Sequence, residues 1–148
     1  MCKVRGFTLV EILIVVIILG ILAAIVIPQF TSASTEARHN SVAATLKTLR
    51  GQLALFKIQH HDRWPNLGNG PTNYWAIMLG KSNASDIGPE AGAADGKLGP
   101  YLRSAPVNPV NGKSAVGNIR NANFGWMYNP DNGNIQALDA TGNNVLPY

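Results

Sequence analysis

The chain changes character along its length. Between Ile12 and Ile27 there is no polar side chain at all, and the apolar stretch reaches back to Phe7 with only Thr8 and Glu11 interrupting it. Such a run is apolar on every side, the pattern of a helix that faces lipid or lies wholly inside a bundle. As a helix, residues 7–27 extend roughly 31 Å at the usual rise per residue, which matches the ~30 Å hydrocarbon core of a bilayer. Its many β-branched residues would favour a strand in water. In lipid the helix wins, because it satisfies every backbone group within one segment.

Beyond Pro28 the pattern becomes periodic. Val42, Leu46, Leu49, Leu53 and Phe56 recur at spacings of 4, 3, 4 and 3, one apolar stripe on an amphipathic helix. Thr48, Arg50, Gln52 and Gln59 lie off the stripe, and Gly51 weakens the helix without stopping it. Pro65 in "DRWPN" is the expected terminator, since a residue before proline is pushed away from helical angles. The stripe therefore predicts a helix over 31–63 on which an exported domain packs. "TNYWAIMLG" reads as a second, short helix with Trp75, Ile77 and Met78 in the core. "KSNASDIGPEAGAADGKLGP" is a polar loop. In "GWMYNPDNGNIQAL", apolar runs flank Asn132-Gly133, a hairpin signal that predicts strands near 124–128 and 134–138. No internal repeat is evident.

Charge and cysteine content sharpen this picture. The formal charge of +4 comes from 12 basic and 8 acidic residues. Lys3 and Arg5 precede the apolar run and the next basic residue is Arg38, so the positive-inside bias places the N-terminus in the cytoplasm and the rest across the membrane. No other block of Lys and Arg occurs, and the composition does not call for nucleic acid. Cys2 is the only cysteine, so no intrachain disulfide forms. It precedes the apolar run, the reverse of a lipoprotein signal. An ordinary signal peptide cut near Ser32-Ala33-Ser34 would have a shorter, acid-free core. Glu11 is the anomaly: a carboxylate at that depth costs on the order of a few kcal/mol unless it is paired.

"RGFTLVEILIVVIILGILAAIVIP" resembles the type IV pilin and type II secretion pseudopilin family. In that family a short basic leader ends in glycine, and a membrane prepilin peptidase cuts after it and methylates the new N-terminal residue. The resemblance implies that Gly6 ends the leader and that Phe7 is the methylated mature N-terminus. Glu11, Gly20 and Pro28 fall where the family's acid, glycine and proline fall. Cleavage creates an amine on Phe7 that Glu11 can compensate, within its own chain or from a neighbouring subunit. On this reading a carboxylate unpaired in the monomer becomes paired in the assembly, and its defect recruits the next subunit. The plain alternative is a Glu snorkelling at the interface with no partner. Pro28 cannot donate to the carbonyl of Ala24 and is expected to kink or loosen the helix, and Gly20 weakens it by about 1 kcal/mol relative to Ala. The resemblance implies loosening between these two positions on assembly, unless both are merely tolerated.

Downstream, "FKIQHHDRWP", "GPYLRSAPVNPVNG" and the terminal hairpin look like the major pseudopilin of type II secretion, through Trp64-Pro65, Tyr101, Leu102, Pro106 and Pro109. That resemblance implies calcium in the C-terminal loop. In "LDATGNNVLPY" the hard oxygen ligands would be Asp139, Thr141 and Asn143 or Asn144, with one carboxylate among them. No catalytic constellation is found. His60-His61-Asp62 are adjacent on a helix and do not face one site, His39 is distant, and no phosphate loop or serine nucleophile motif occurs.

The expectation is a pilin-like α+β protein in which a long N-terminal helix packs on a small antiparallel sheet. Its segments are a leader 1–6, a transmembrane and assembly helix 7–30, and an exported domain 31–148. It is expected to be a structural subunit, not an enzyme, of a homo-oligomeric filament that includes other pseudopilins. Prepilin peptidase, the lipid bilayer and an inner-membrane assembly platform with its own ATPase are the implied partners. The expected location is the inner membrane, with a periplasmic C-terminal domain assembling into a periplasmic or surface filament. Two alternatives stand beside it: a type IV pilus subunit serving adhesion, motility or DNA uptake, and a monomeric single-span protein whose exported domain binds a partner.

Overall fold

The computed structural model describes residues 6–67, 75–88, 95–143 and 145–147, with backbone alone at Pro28. Cys2, Lys3, Arg5, the start of the predicted short helix at Thr72 and the candidate ligand Asn144 lie outside the described residues. Helix α1 runs Leu9–Gln59, α2 runs Ala76–Leu79, and three strands follow: β1 (Val116–Gly117), β2 (Trp126–Asn129) and β3 (Asn134–Ala137). The chain divides into two units, one through Ala37 and one from Arg38, which are taken in turn.

In the first unit α1 is helical from Leu9 onward, and its apolar side chains from Leu9 to Ile27 lie open. The helix continues through Gly20 and Pro28 without interruption. Proline removes one N–H from the ladder, but the remaining turns stay hydrogen-bonded. Thr31 Oγ1 donates to the Ile27 carbonyl at 3.2 Å and Thr35 Oγ1 to the Thr31 carbonyl at 3.0 Å, the back-bonding typical of hydroxyls inside helices.

The second unit holds the core. Val42, Leu46, Leu49, Leu53 and Phe56 are all buried, together with Leu67, Trp75, Ile77, Met78, Tyr101, Val116, Trp126, Tyr128 and Ile135. The stripe continues one step further than its apolar members, to His60. This side chain is fully buried, stacked on Phe56 at 3.6 Å between ring centroids. Its Nδ1 meets the Phe56 carbonyl at 2.8 Å and its Nε2 meets Ser82 Oγ at 2.9 Å. Because a carbonyl only accepts, Nδ1 carries a proton.

Helix α1 ends at Gln59 and not at 63. His61 and Asp62 adopt left-handed angles, with φ of 55° and 61°, and Asp62 N–H returns to the Lys57 carbonyl at 3.0 Å. This is the 6→1 bond of a Schellman-type closure, built without the usual glycine. Its supports are the ion pair of Lys57 Nζ with Asp62 at 3.1 Å and the contact of His61 Nδ1 with the Ala84 carbonyl at 3.0 Å. The chain has therefore turned before Pro65 is reached.

The sheet has the order β1-β2-β3. β2 and β3 form the predicted antiparallel hairpin, pairing Trp126 with Ala137 and Asn129 with Asn134. β1 runs parallel to β2, so the sheet is mixed, not purely antiparallel. The two-residue β1 carries no alternation that a sequence pattern could reveal. In the hairpin turn, Gly133 has φ of 71°, and a Cβ there would lie 2.4 Å from the Trp64 indole. Glycine is required there both by the backbone and by the close packing of Trp64.

Candidate functional site

The start of α1 is built by four residues. Gly6, Phe7 and Thr8 precede the helix and are exposed, so the Gly6–Phe7 peptide bond lies outside the helical ladder. Thr8 occupies the N-cap. Its backbone N–H and its Oγ1 each donate to Glu11 Oε2 at 2.8 Å, and Glu11 N–H donates back to Thr8 Oγ1 at 3.2 Å. This reciprocal arrangement is a capping box. It satisfies amides that the first turn of any helix leaves without partners and sets a carboxylate at the positive end of the helix dipole.

The geometry changes the account of Glu11. Its carboxylate has hydrogen-bond partners within the chain, because Thr8 engages it through both its backbone N–H and its hydroxyl. Both bonds end on Oε2, and Oε1 takes part in neither. Thr8 is the capping residue that pattern reading missed, although the signal was present: Thr8-Leu9-Val10-Glu11 is a Thr-x-x-Glu box directly before an apolar run.

Gly20 and Pro28 lie further along the same helix, and neither touches the capped start. A Cβ added at Gly20 would meet nothing within 4 Å, so close packing inside the chain does not demand glycine there. The helix is long and apolar enough to cross a membrane.

The C-terminal loop holds the residues suggested for calcium. Asp139 Oδ1 accepts from Thr141 N–H at 3.0 Å, Thr141 Oγ1 at 2.8 Å and Asn143 N–H at 3.2 Å. Thr141 Oγ1 also accepts from Asn143 N–H at 3.3 Å. Asn143 therefore turns a backbone donor toward this oxygen, and the backbone carbonyl of Asp139 accepts from Asn111 Nδ2. Calcium takes six to eight oxygens facing one point. Here the single carboxylate turns its Oδ1 to three donors, and among the described residues no cluster of three His, Cys, Asp or Glu side chains forms. Asp139, Thr141 and Asn143 as arranged do not fit a calcium ion.

A capped helix start with an exposed glycine junction, an apolar helix of membrane length and a small α+β head define a type IV pilin-like protein. The family described as the prokaryotic N-terminal methylation motif matches residues 1–27. The type II secretion system core protein G of Klebsiella pneumoniae is 31% identical over 109 residues, 74% of this chain and 71% of that protein. The protein of the same description from Pseudomonas aeruginosa is 34% identical over 104 residues, 70% and 66% of the two chains. A type IV narrow pilus major component of Thermus thermophilus is 39% identical over 57 residues, 38% of this chain and 49% of that one. No solved structure matches. The chain belongs to the type II secretion core protein G family and is a pseudopilin.

Proposed function

We propose that this pseudopilin is the repeating subunit of a type II secretion pseudopilus. Prepilin peptidase cuts between Gly6 and Phe7 and methylates the Phe7 amine. The apolar helix then holds the subunit in the inner membrane, with Lys3 and Arg5 on the cytoplasmic side before processing and the head in the periplasm. An assembly platform, driven by a separate ATPase, stacks the subunits. The role of the chain is mechanical. The observation that carries this reading is the junction of the prepilin motif with a likeness to core protein G over about three quarters of the chain.

Within this reading the capping box gives Glu11 two duties. Thr8 holds the carboxylate at a fixed place in the first turn, which offsets part of its cost in the bilayer. The same carboxylate then meets the amine of Phe7 on a neighbouring subunit, where low dielectric strengthens the attraction. Gly20 and Pro28 supply the weak points at which the helix loosens as the filament forms.

Deleting the gene tests the reading. Folded exoproteins are expected to accumulate in the periplasm and to be released again on complementation. Unchanged export with loss of surface fibres would overturn it in favour of a surface pilus, the reading that the shorter match to the Thermus subunit favours.

A further inference from the structure

Two asparagines three residues apart do the same job in the loop before the sheet. In Pro106-Val107-Asn108-Pro109-Val110-Asn111-Gly112 the triplet Pro-Val-Asn occurs twice. Asn108 is fully buried, and its Nδ2 donates to the Gly125 carbonyl at 2.7 Å and to the Leu138 carbonyl at 2.8 Å. Asn111 Nδ2 donates to the next carbonyl on each side, that of Phe124 at 3.0 Å and that of Asp139 at 3.1 Å. Each Oδ1 closes its own turn, accepting from Val110 N–H at 2.9 Å and from Lys113 N–H at 3.0 Å. An amide nitrogen has two protons, and here both are spent in each residue. Lys113 Nζ donates to the carbonyl of Ala122.

The consequence is electrostatic. Four carbonyl oxygens, two before β2 and two after β3, converge on this loop, and two of them belong to the segment in which calcium was expected. Carbonyl oxygens gathered in this way are the kind that a hard cation binds. Each of the four instead faces an amide N–H of Asn108 or Asn111, and the Gly125 carbonyl also accepts the Leu138 N–H at 3.0 Å. We propose that Asn108 and Asn111 take the place of a divalent cation at the base of the C-terminal loop, so that the head closes and stays closed without metal. The inference concerns the head alone and holds whichever filament the chain joins.

The test uses the full chain in detergent micelles and follows thermal unfolding by near-ultraviolet circular dichroism, in excess EDTA and in excess calcium chloride. A ligand that binds only the folded state raises the transition temperature with concentration. The wild-type transition is expected at the same temperature in both conditions, and a saturable rise of several degrees with calcium would overturn the proposal. This arm does not depend on any variant folding. Asn111→Ala is expected to lower the transition by several degrees in both conditions, and an unchanged transition would overturn the proposed clamp. Asn111→Asp turns both donors into acceptors aimed at the Phe124 and Asp139 carbonyls. It is expected to melt lower in EDTA and to recover with calcium, and indifference to calcium in that variant would overturn the claim that the amide occupies a cation's place.

Discussion

Thr8 and Glu11 hold each other at the first turn of α1: Glu11 Oε2 accepts both the backbone N–H and the hydroxyl of Thr8 at 2.8 Å, and Thr8 Oγ1 accepts the Glu11 N–H at 3.2 Å. The acid that looks like a flaw in an apolar anchor is thus part of the structure that starts the helix. Capping and charge are separable duties, because a neutral amide oxygen still accepts the Thr8 bonds, though more weakly than a carboxylate.

Glu11→Gln keeps an oxygen acceptor for Thr8 and removes the charge. If the charge joins subunits, this variant is expected to insert and be cleaved normally yet be lost from filaments, as is Glu11→Val. Thr8→Ala removes the cap, at about 1 kcal/mol of helix stability, and is expected to reduce assembly less than Glu11→Gln. Membrane fractionation, followed by shearing and immunoblotting of filaments, reads all three. Normal filaments from Glu11→Gln would refute the charge-pairing role.

Gly6 has open space where a Cβ would go, so a larger side chain there does not disturb the fold. Gly6→Leu is expected to leave the head folded and block processing, which intact-mass spectrometry would detect as retention of the leader. Efficient cleavage of that variant would place the processing site elsewhere.

Gly133 and Trp64 form a matched pair in the head. Gly133→Ala forces a side chain into a left-handed position and into the indole ring, and is expected to cost about 1–3 kcal/mol. Urea unfolding of the full chain in micelles measures it. Trp64→Ala opens the space but leaves the φ penalty, so the double variant is expected to lose less than the sum of the two single variants.

Burial raises the Tyr128 phenol above its ordinary value of 10.0, while its hydroxyl donates to the Pro65 carbonyl at 2.9 Å. The unfolded chain therefore gives up this proton at lower pH than the folded one. Stability from this group is fully present below pH 10 and is lost as pH climbs toward the raised folded value. Tyr128→Phe is expected to be less stable at neutral pH, through the lost hydrogen bond, but to show a shallower decline above pH 10 in alkaline urea titrations.

Much of the fold was legible because it repeats locally. The stripe from Val42 to Phe56 faces the core as its 4-3-4-3 spacing requires, and Asn132-Gly133 turns the hairpin within a residue or two of the expected strands. Ile77 and Met78 are buried on a short helix as expected, and Trp75 is buried just before it. In the candidate site, Gly6, Phe7 and Glu11 were singled out by the family resemblance of their motif, and Thr8 was legible in the Thr-x-x-Glu spacing of residues 8–11.

What escaped the pattern depends on partners far away in the chain. Asn108 and Asn111 look like turn residues until the carbonyls they bridge, 13 to 30 positions downstream, are brought to them. β1 is a strand only because Trp126 lies beside Val116. His60 becomes a core residue only when Ser82 meets its second nitrogen. The end of α1 at Gln59 is likewise decided by left-handed residues with an ion pair and a distant carbonyl as supports. The sequence by itself determined the apolar helix and the amphipathic stripe, because periodicity acts between neighbours on one element. Only the tertiary structure decided how the C-terminal loop is held, because hydrogen-bond satisfaction there is settled between segments that the sequence keeps apart.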